Sequence, residues 1–262
     1  MSPTDTIANQ IETWFAESNL PDNALKTIEE VIQALDEGRI TVVEKVEGIW
    51  QVNAWVKKAI LLYFRLRPIE KLEDGKFFDK IPLKHNWADN NRIVPYSSAR
   101  HGSYIAPGVI IMAPSFINIG GYVDTGSMVD SLVLVGSCAR IGKNVHLGAG
   151  TIIGGVLEPP NGQPVIIEDN AFIGGSCGIY EGCLVEENAV IAAGTIITAG
   201  TPIIDVESGK EYYGRVPKNA VVVPGGRKRT VGATEIILQT PMIIKRRDPS
   251  VSAKVALEES LR

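Results

Sequence analysis

The chain has 262 residues, of which 45% are hydrophobic and 21% charged, and its formal net charge is −4. This composition is that of an ordinary soluble globular protein, and it argues against disorder and against a surface built to bind nucleic acid. Because the sequence has neither a long uncharged apolar stretch nor the features of a secretory signal, we expect a cytoplasmic protein with no membrane or nucleic-acid partner.

The N-terminal part of the chain shows helical patterning. Residues 7–36 carry apolar side chains at helical spacing. Residues 40–52 read as a β-hairpin that turns at Glu47, and Asn53 is placed to cap a third helix. We therefore predict a small, mostly helical α/β domain over residues 1–92. Its predicted core contains three tryptophans, Trp14, Trp50 and Trp55.

From residue 105 onward an aliphatic side chain occupies every sixth position, with one interruption. The series gives sixteen aliphatic residues in sixteen repeats, which chance does not produce. Many of them are followed, four residues later, by a smaller side chain, and Gly, Asn or Asp stands between. The aliphatic positions are 105, 111, 117, 123, 129, 135, 141, 147, 153, 167, 173, 179, 185, 191, 197 and 203.

This spacing predicts a parallel β-helix. Six residues advance an α-helix by about 1.67 turns, so the aliphatic side chains would be scattered around a helix. Three short strands and three corners instead make a coil of about eighteen residues, in which both series point inward. We assign residues 93–205 to this mainly β triangular prism. Residues 206–262 should cover its open end as a C-terminal cap, with a helix that begins near Asp248.

The interruption lies between Ile153 and Ile167. The gap of fourteen residues is not a multiple of six, and the segment is rich in Pro and Gly. We predict that residues 156–166 leave the prism as a loop. Loops on a rigid scaffold often carry function, but a harmless insertion would give the same pattern.

The cysteines and histidines do not have the spacing of a metal site. Cys138, Cys177 and Cys183 form no CxxC pair and lie in apolar, Gly-rich surroundings, which predicts reduced, buried thiols. The chain has three histidines, and His85 lies outside the array. A three-histidine zinc site, as in a carbonic anhydrase on the same scaffold, is therefore excluded, and we expect no metal.

The outward positions of the array argue against a purely structural or ice-binding solenoid. Such a protein would carry a repeating ladder of polar side chains. The outward residues here are varied, and we interpret them as interfaces or sites. Five successive ones are Tyr122, Met128, Leu134, Arg140 and His146.

Specific strings within the array carry a family resemblance. They are MVDS at 128–131, VGSCARIGKNVHLG at 135–148, GGVLEP at 154–159, IIEDNAFIG at 166–174 and YGRVP at 213–217. With the sixfold array, these strings resemble the tetrahydrodipicolinate N-succinyltransferase family of hexapeptide-repeat acyltransferases.

The resemblance implies a left-handed coil, although parallel crossovers are generally right-handed. It also implies a homotrimer with sites between subunits. The implied reaction transfers the succinyl group of succinyl-CoA to the amine of ring-opened tetrahydrodipicolinate, L-2-amino-6-oxopimelate, on the route to diaminopimelate and lysine. Because the scaffold does not determine acyl length, an N-acyltransferase that uses acetyl-CoA or another donor is the alternative.

Two substrate residues follow from the resemblance. Arg92 matches the family's substrate-binding arginine, and a guanidinium fork suits a carboxylate. The alternative for Arg92 is a surface charge at a domain junction. Asp130 matches a family aspartate that contacts the substrate, where it would hold the amine or accept its proton as the catalytic residue. The alternative is a polar corner residue, because Asp124 and Asn118 occupy equivalent corner positions.

The second carboxylate proposed for the family is missing here. In the matching segment GGSCGIYEG, Gly178 stands at its place, and Glu181 belongs to a different register. Backbone amides could then do more of the polarising of the thioester. His146 is a further candidate base, since other hexapeptide acyltransferases use a histidine. Its alternative is a solvated outward side chain.

The resemblance also implies that the pantetheine arm of CoA runs along the outside of the coils near their C-terminal end. Small residues at 193 and 194 would let the ligand approach backbone amides. Basic residues would neutralise the nucleotide phosphates, although GGRKR is equally a solvated turn. The predicted CoA contacts are Ala193, Gly194, Lys218, Arg227, Lys228 and Arg229.

Overall fold

The computed structural model describes residues 3–72, 75–248 and 250. In its N-terminal part, three helices pack around a small apolar core, and the predicted hairpin turns at Glu47, which has φ 49°. Asn53 precedes the third helix but its side chain makes no capping hydrogen bond, and the side-chain amide instead donates to the Thr41 carbonyl (2.9 Å). The elements are α1 Pro3–Ala16, α2 Ala24–Asp36, β1 Val43–Val46, β2 Ile49–Val52, α3 Ala54–Leu66, β3 Glu70–Leu72 and β4 Phe77–Asp79.

The three predicted core tryptophans differ in burial. Trp14 is buried against the helices, as predicted. Trp50 and Trp55 also pack against this core, but they are only half-buried at its edge. The indole of Trp50 instead donates to Glu168 Oε1 of the prism (2.8 Å), so it joins the two parts of the chain.

The central part of the chain is a three-sided prism of parallel strands, two or more residues long. Face 1 contains β5 Arg92–Ile93, β8 Ile110–Ile111, β11 Met128–Val129, β14 His146–Leu147, β17 Phe172–Ile173, β20 Val190–Ile191 and β25 Ala220–Val223. Face 2 contains β6 Ser98–Ala99, β9 Phe116–Ile117, β12 Leu134–Val135, β15 Ile152–Ile153, β18 Gly178–Ile179 and β21 Ile196–Ile197. Face 3 contains β7 Tyr104–Ile105, β10 Tyr122–Val123, β13 Arg140–Ile141, β16 Ile166–Ile167, β19 Leu184–Val185 and β24 Arg215–Val216.

The chain visits the faces in the order 1, 2, 3, so three corners complete each coil. We call them the first corner (face 1 to 2), the second corner (2 to 3) and the third corner (3 to 1). Within a corner of four residues, the third residue often has a positive φ, as Cys138 (67°) does at the second corner and Asn144 (53°) at the third corner. This left-handed conformation turns the backbone sharply, which explains the Gly and Asn at many corners.

The predicted interior is confirmed. All sixteen aliphatic residues of the sixfold series are at most 3% exposed. Smaller residues such as Ala139 and Thr151 are also fully buried (0% exposed). Parallel pairing keeps equivalent positions in register, as when Val129 stacks between Ile111 and Leu147. Burial of this continuous aliphatic column is the main source of stability for the prism.

The predicted loop leaves the prism at the second corner, between β15 and β16. It folds back onto the same chain. Lys57 of α3, whose side chain is fully buried, donates to the Gly162 carbonyl (2.5 Å), and Leu157 packs against the N-terminal core. Beyond the loop, β16 pairs with β13 in the normal register, so the excursion does not disturb the column.

A buried ion pair joins the N-terminal domain to the first coil. Asp36, at the end of α2, accepts from Lys84 Nζ (2.7 Å), and both side chains are 4% exposed. The other Asp36 oxygen accepts from the Gly102 amide (2.9 Å) and lies 3.4 Å from His101 Nδ1. Burial alone would raise the pKa of Asp36, but the contacts to His101, Lys84 and Gly102 outweigh burial and lower it.

The C-terminal part continues face 1 and adds an exposed hairpin. Ile203 is buried, but it is wrong to count it as the next coil strand, because its strand β22 (Ile203–Asp205) pairs with β28 (Met242–Arg246) on the extension of face 1. Its place on face 3 is taken by β24, where Val216 stacks on Val185. The helix predicted to begin near Asp248 lies outside the described residues. The elements are β22 Ile203–Asp205, β23 Glu211–Tyr212, β26 Gly226–Val231, β27 Thr234–Gln239 and β28 Met242–Arg246.

Candidate active site

The first corner brings together residues from four successive coils. Asp130 follows β11, and Gly148, Gly174 and Ala192 hold the equivalent positions in the next three coils, each connected to its neighbour by strand pairing. At about 4.8 Å per coil, this column spans roughly 14 Å from Asp130 to Ala192. A Cβ atom on Gly174 would lie 2.5 Å from the Ala193 nitrogen, so close coil packing requires glycine there.

The Asp130 side chain is half-buried and partly engaged. Its Oδ1 accepts from the Ser131 amide (2.7 Å), which is the corner role weighed as the alternative. Asp124 makes the same contact to Thr125, but its other oxygen lies 3.8 Å from Arg140 Nη2. Within the described part of the chain, Oδ2 of Asp130 has no hydrogen-bond partner. It can therefore accept a hydrogen bond from a ligand.

Arg92 lies on face 1 at the N-terminal end of the prism. In β5 it pairs with Ile110, which pairs with Met128, so Arg92 is two coils, or about 10 Å, from Met128. Its side chain is exposed, and none of the described carboxylates forms an ion pair with it. Arg92 and Asp130 thus border the same face, and both have unused hydrogen-bonding capacity.

The segment that lacks the second carboxylate is filled by an aromatic ring. Gly178 is buried on face 2, and a Cβ atom there would lie 2.4 Å from the ring of Tyr180. Tyr180 was not a candidate from the sequence. Residues two apart in a strand point to the same side, so its position two residues after Gly178 could have identified it. Glu181 lies at the second corner, where its Oε2 accepts from the Ala199 amide (3.0 Å), so it is not close in register to Asp130.

Ala193 and Gly194 lie at the first corner, in the last coil of the column that contains Asp130. Both are exposed, and the space around Gly194, which has φ 74°, is open within 4 Å. The strand β25 passes directly over this coil, because the Ala192 amide donates to the Val222 carbonyl (2.8 Å). The β26–β27 hairpin then begins at Gly226, just beyond the same corner.

The predicted basic residues are split between two places. Arg227, Lys228 and Arg229 lie on β26, and Lys228 pairs with Glu235 across the hairpin (2.9 Å). Lys218 lies at the third corner, on the opposite edge of face 1, where it pairs with Glu187. The structure therefore groups Ala193, Gly194 and the hairpin, and it separates Lys218 from them within one chain.

His146 lies on face 1 between Met128 and Phe172, with which it pairs in register. Its ring stacks on Phe172 with a centroid distance of 4.9 Å and an interplanar angle of 7°. Burial lowers the pKa of His146, and the nearby charge of Asp130 acts in the opposite direction. Phe172 was not a sequence candidate, and aligning the coils by the strand register would have placed it over His146.

The described residues include all three cysteines, and their arrangement also answers whether a metal-binding group or a membrane-spanning helix is present among them. All three cysteines are free and buried, as predicted, and burial raises the pKa of both Cys138 and Cys183 to about 12. Among residues 3–72, 75–248 and 250, no three His, Cys, Asp or Glu side chains are grouped so that they could hold a metal ion. No helix in that part has the length and apolar character needed to cross a membrane.

Large apolar side chains are exposed next to the first corner. Tyr96 and Leu132 hold the same corner position two coils apart and are 91% and 65% exposed. Phe77 and Phe78 of β4 are exposed beside Tyr96, and these three residues line a 570 Å³ cleft with Phe116 of face 2. A patch of this kind is typical of a surface that another protein chain covers.

The stacked coils and the glycine-rich corner define a hexapeptide-repeat transferase. A model of the hexapeptide repeat of succinyl-transferase matches residues 164–199, and a model of the tetrahydrodipicolinate N-succinyltransferase N-terminal domain matches residues 6–66. The chain is 44% identical to the 2,3,4,5-tetrahydropyridine-2,6-dicarboxylate N-succinyltransferase of Acinetobacter baylyi over 274 residues, covering 100% of this chain and 99% of the relative. The chain belongs to the tetrahydrodipicolinate N-succinyltransferase family and is an N-succinyltransferase of diaminopimelate and lysine biosynthesis.

Two further comparisons agree. The enzyme of the same name from Sodalis glossinidius is 43% identical over 272 residues, and the match covers 98% of this chain and 98% of that enzyme. A candidate 2,3,4,5-tetrahydropyridine-2-carboxylate N-succinyltransferase from Campylobacter jejuni has a similar crystal structure, with a TM-score of 0.60 at 17% identity over 83% of this chain and 62% of that one. This likeness concerns the fold, and the expected fold class, a left-handed parallel β-helix with a small helical N-terminal domain, is confirmed.

Proposed function

We propose that the protein transfers the succinyl group of succinyl-CoA to the amine of L-2-amino-6-oxopimelate, the ring-opened form of tetrahydrodipicolinate. The observation that carries this proposal is the first corner, which joins Asp130 to the exposed backbone of Ala193 and Gly194. A thioester held along this corner would place its acyl group near face 1. The free oxygen of Asp130 and the exposed Arg92 are then available to the second substrate.

The reaction needs the acceptor amine in its neutral form beside a polarised thioester carbonyl. The amine nitrogen attacks the carbonyl carbon, the C–S bond breaks, CoA leaves as a thiolate, and one proton is lost from nitrogen. We assign the orientation of the amine to Asp130 and the binding of a substrate carboxylate to Arg92. A seven-carbon dicarboxylate is long enough to bridge the side chains of Arg92 and Asp130, whose backbones are two coils and two residues apart, or about 12 Å.

The donor should follow the first corner toward the β26–β27 hairpin. Pantetheine amides can hydrogen-bond to exposed corner backbone at Ala193 and Gly194, and the phosphates would lie among Arg227, Lys228 and Arg229. Lys218 takes part only if it comes from another subunit, because in its own chain it lies across face 1 and pairs with Glu187. No metal is needed in this mechanism, since backbone amides and cationic side chains stabilise the charges.

The exposed apolar side chains support the expected homotrimer. Leu132 lies two residues from Asp130 at the first corner, and Tyr96 holds the same corner position two coils away beside Arg92, so a neighbouring subunit that covers both would also enclose the substrate site. We propose that the sites lie between subunits of a trimer, and that the enzyme works in the cytoplasm, where succinyl-CoA is made available by metabolism.

The donor is tested by thiol release from the purified protein. With L-2-amino-6-oxopimelate as acceptor, succinyl-CoA should give a kcat/KM at least about tenfold above that for acetyl-CoA, because binding energy from the distal carboxylate contributes to the transition state. The control omits the acceptor. Equal or faster acetyl transfer would contradict the donor assignment and favour an acetyltransferase.

Arg92→Lys should raise the KM for the acceptor about tenfold and change the KM for succinyl-CoA less than twofold. Lysine keeps the charge but cannot form the bidentate contact with a carboxylate. Steady-state kinetics with each substrate varied in turn measures both values. Arg229→Lys makes the same chemical change on the hairpin and should affect succinyl-CoA rather than the acceptor. An equal loss for both substrates in Arg92→Lys would count against its role.

A further inference from the structure

We infer that His146 accepts the proton of the attacking amine, and that Asp130 holds the amine and stabilises the resulting imidazolium. This inference rests on the proposed function. The strand register places the two residues together, because Met128 pairs with His146 and the Asp130 amide donates to the carbonyl of Leu147, the next residue after His146 (3.0 Å).

The surroundings hold the imidazole in one orientation with its nitrogens unused. Phe172 stacks against one side of the ring (4.9 Å, 7°), and Met128 lies in register on the other. The ring is half-buried, and neither nitrogen hydrogen-bonds to another described residue. A flat aromatic contact fixes the ring plane without occupying its nitrogen lone pair, which is what a proton acceptor needs.

The electrostatic balance suits a base at neutral pH. Burial lowers the pKa of His146 below its usual value of 6.5, so the ring is mostly neutral at pH 7. Asp130 on the β11 side is the charged group that acts on the ring, while β17 contributes the uncharged Phe172. As the ring gains a proton, attraction to the Asp130 carboxylate grows, and this favours the transition state.

The proton balance is complete within the site. The amine forms the C–N bond, the C–S bond breaks, and the amine proton passes to a His146 nitrogen. The imidazolium then protonates the CoA thiolate, so the ring is neutral again at the end of the cycle. Gly178 offers no carboxylate for this step, and Tyr180 covers its place.

The first test compares His146→Asn with His85→Asn by thiol release between about pH 5.5 and 9. The wild type and His85→Asn should lose kcat/KM as pH falls below 6.5, through the pKa of His146. Because the acceptor amine is also protonated as pH falls, every variant should keep a gradual loss of kcat/KM, and the additional inflection below pH 6.5 is the part assigned to His146. His146→Asn should lower kcat at pH 7.5 by at least about tenfold, lack this additional inflection, and keep the KM for succinyl-CoA within twofold. A variant that keeps the additional inflection, or a kcat within threefold of wild type, would overturn the inference.

A second test does not depend on turnover. The chain has three histidines, so the imidazole NMR signals of His146 can be assigned by comparison with His146→Asn. Asp130→Asn should move the titration midpoint of His146 to lower pH, because the charge that raises its pKa is gone, and should leave that of His85 in place. An unmoved midpoint would overturn the pairing of the two residues. If the wild type fails with succinyl-CoA but works with acetyl-CoA, the proposed donor fails and the same variants decide the inference; if neither donor reacts, both fail.

Discussion

Asp130→Asn is expected to lower kcat about a hundredfold while the prism and its assembly stay intact. Asparagine can still accept from the Ser131 amide, so the corner is preserved. It lacks the negative charge that we propose orients the amine and stabilises positive charge at His146. The measurement is thiol release under saturating substrates, with circular dichroism and size-exclusion chromatography to check the fold and the oligomeric state.

The matched control for this prediction is Asp124→Asn. Asp124 caps its own corner in the same way, through the Thr125 amide (2.8 Å), but faces Arg140 on another face of the prism. This variant should keep kcat within twofold. If Asp130→Asn also stayed within threefold of the wild type, Asp130 would be a corner residue with no part in the chemistry.

Asp36→Asn is expected to reduce the free energy of unfolding by about 3 kcal/mol. The change leaves the buried Lys84 ammonium, only 4% exposed, without its counter-charge (2.7 Å), and breaking such a pair from one side is strongly destabilising. Urea unfolding at one fixed protein concentration measures the loss. Glu37→Gln removes the neighbouring exposed pair with Arg39 (2.5 Å) and should change the free energy of unfolding far less than Asp36→Asn, because solvent screens an exposed pair.

The buried Asp36–Lys84 pair also makes the free energy of unfolding depend on pH. The folded pKa of Asp36 is lowered from 3.8, so its contribution is fully present above about pH 4 and is lost as pH falls through the folded pKa. The wild type should therefore lose more stability than Asp36→Asn between about pH 5 and 2.5. If both proteins lost stability in parallel over this range, the ion pair would not be the cause.

The interior of the prism was predictable because its physical requirement repeats. In every stretch of six residues, one inward position must be aliphatic. A substitution at a single position therefore does not hide the period. Ile203 shows the limit of this reasoning. Its side chain is as buried as the series requires, yet its strand pairs with β28 from far along the chain. A pattern reports burial and does not say which neighbour provides it.

The candidate site was only partly predictable for a related reason. The resemblance supplied Arg92 and Asp130, but their relation to the corner glycines depends on how coils are aligned across the loop. Lys218 illustrates the difficulty, because it is close in sequence to the basic hairpin and still lies at a different corner. Trp50 likewise looked like a core residue, and only the packing of the hairpin against Glu168 gives it a partner in the prism.

The excursion between β15 and β16 shows where this architecture tolerates change in length. The chain leaves and rejoins the prism at the second corner, so the pairing of β16 with β13 does not depend on the number of residues in the loop. An added or deleted residue within a strand would instead invert every later side chain, exchanging interior for exterior. New segments can therefore be inserted at the second corner, and related enzymes should differ in length there rather than within the strands of the faces.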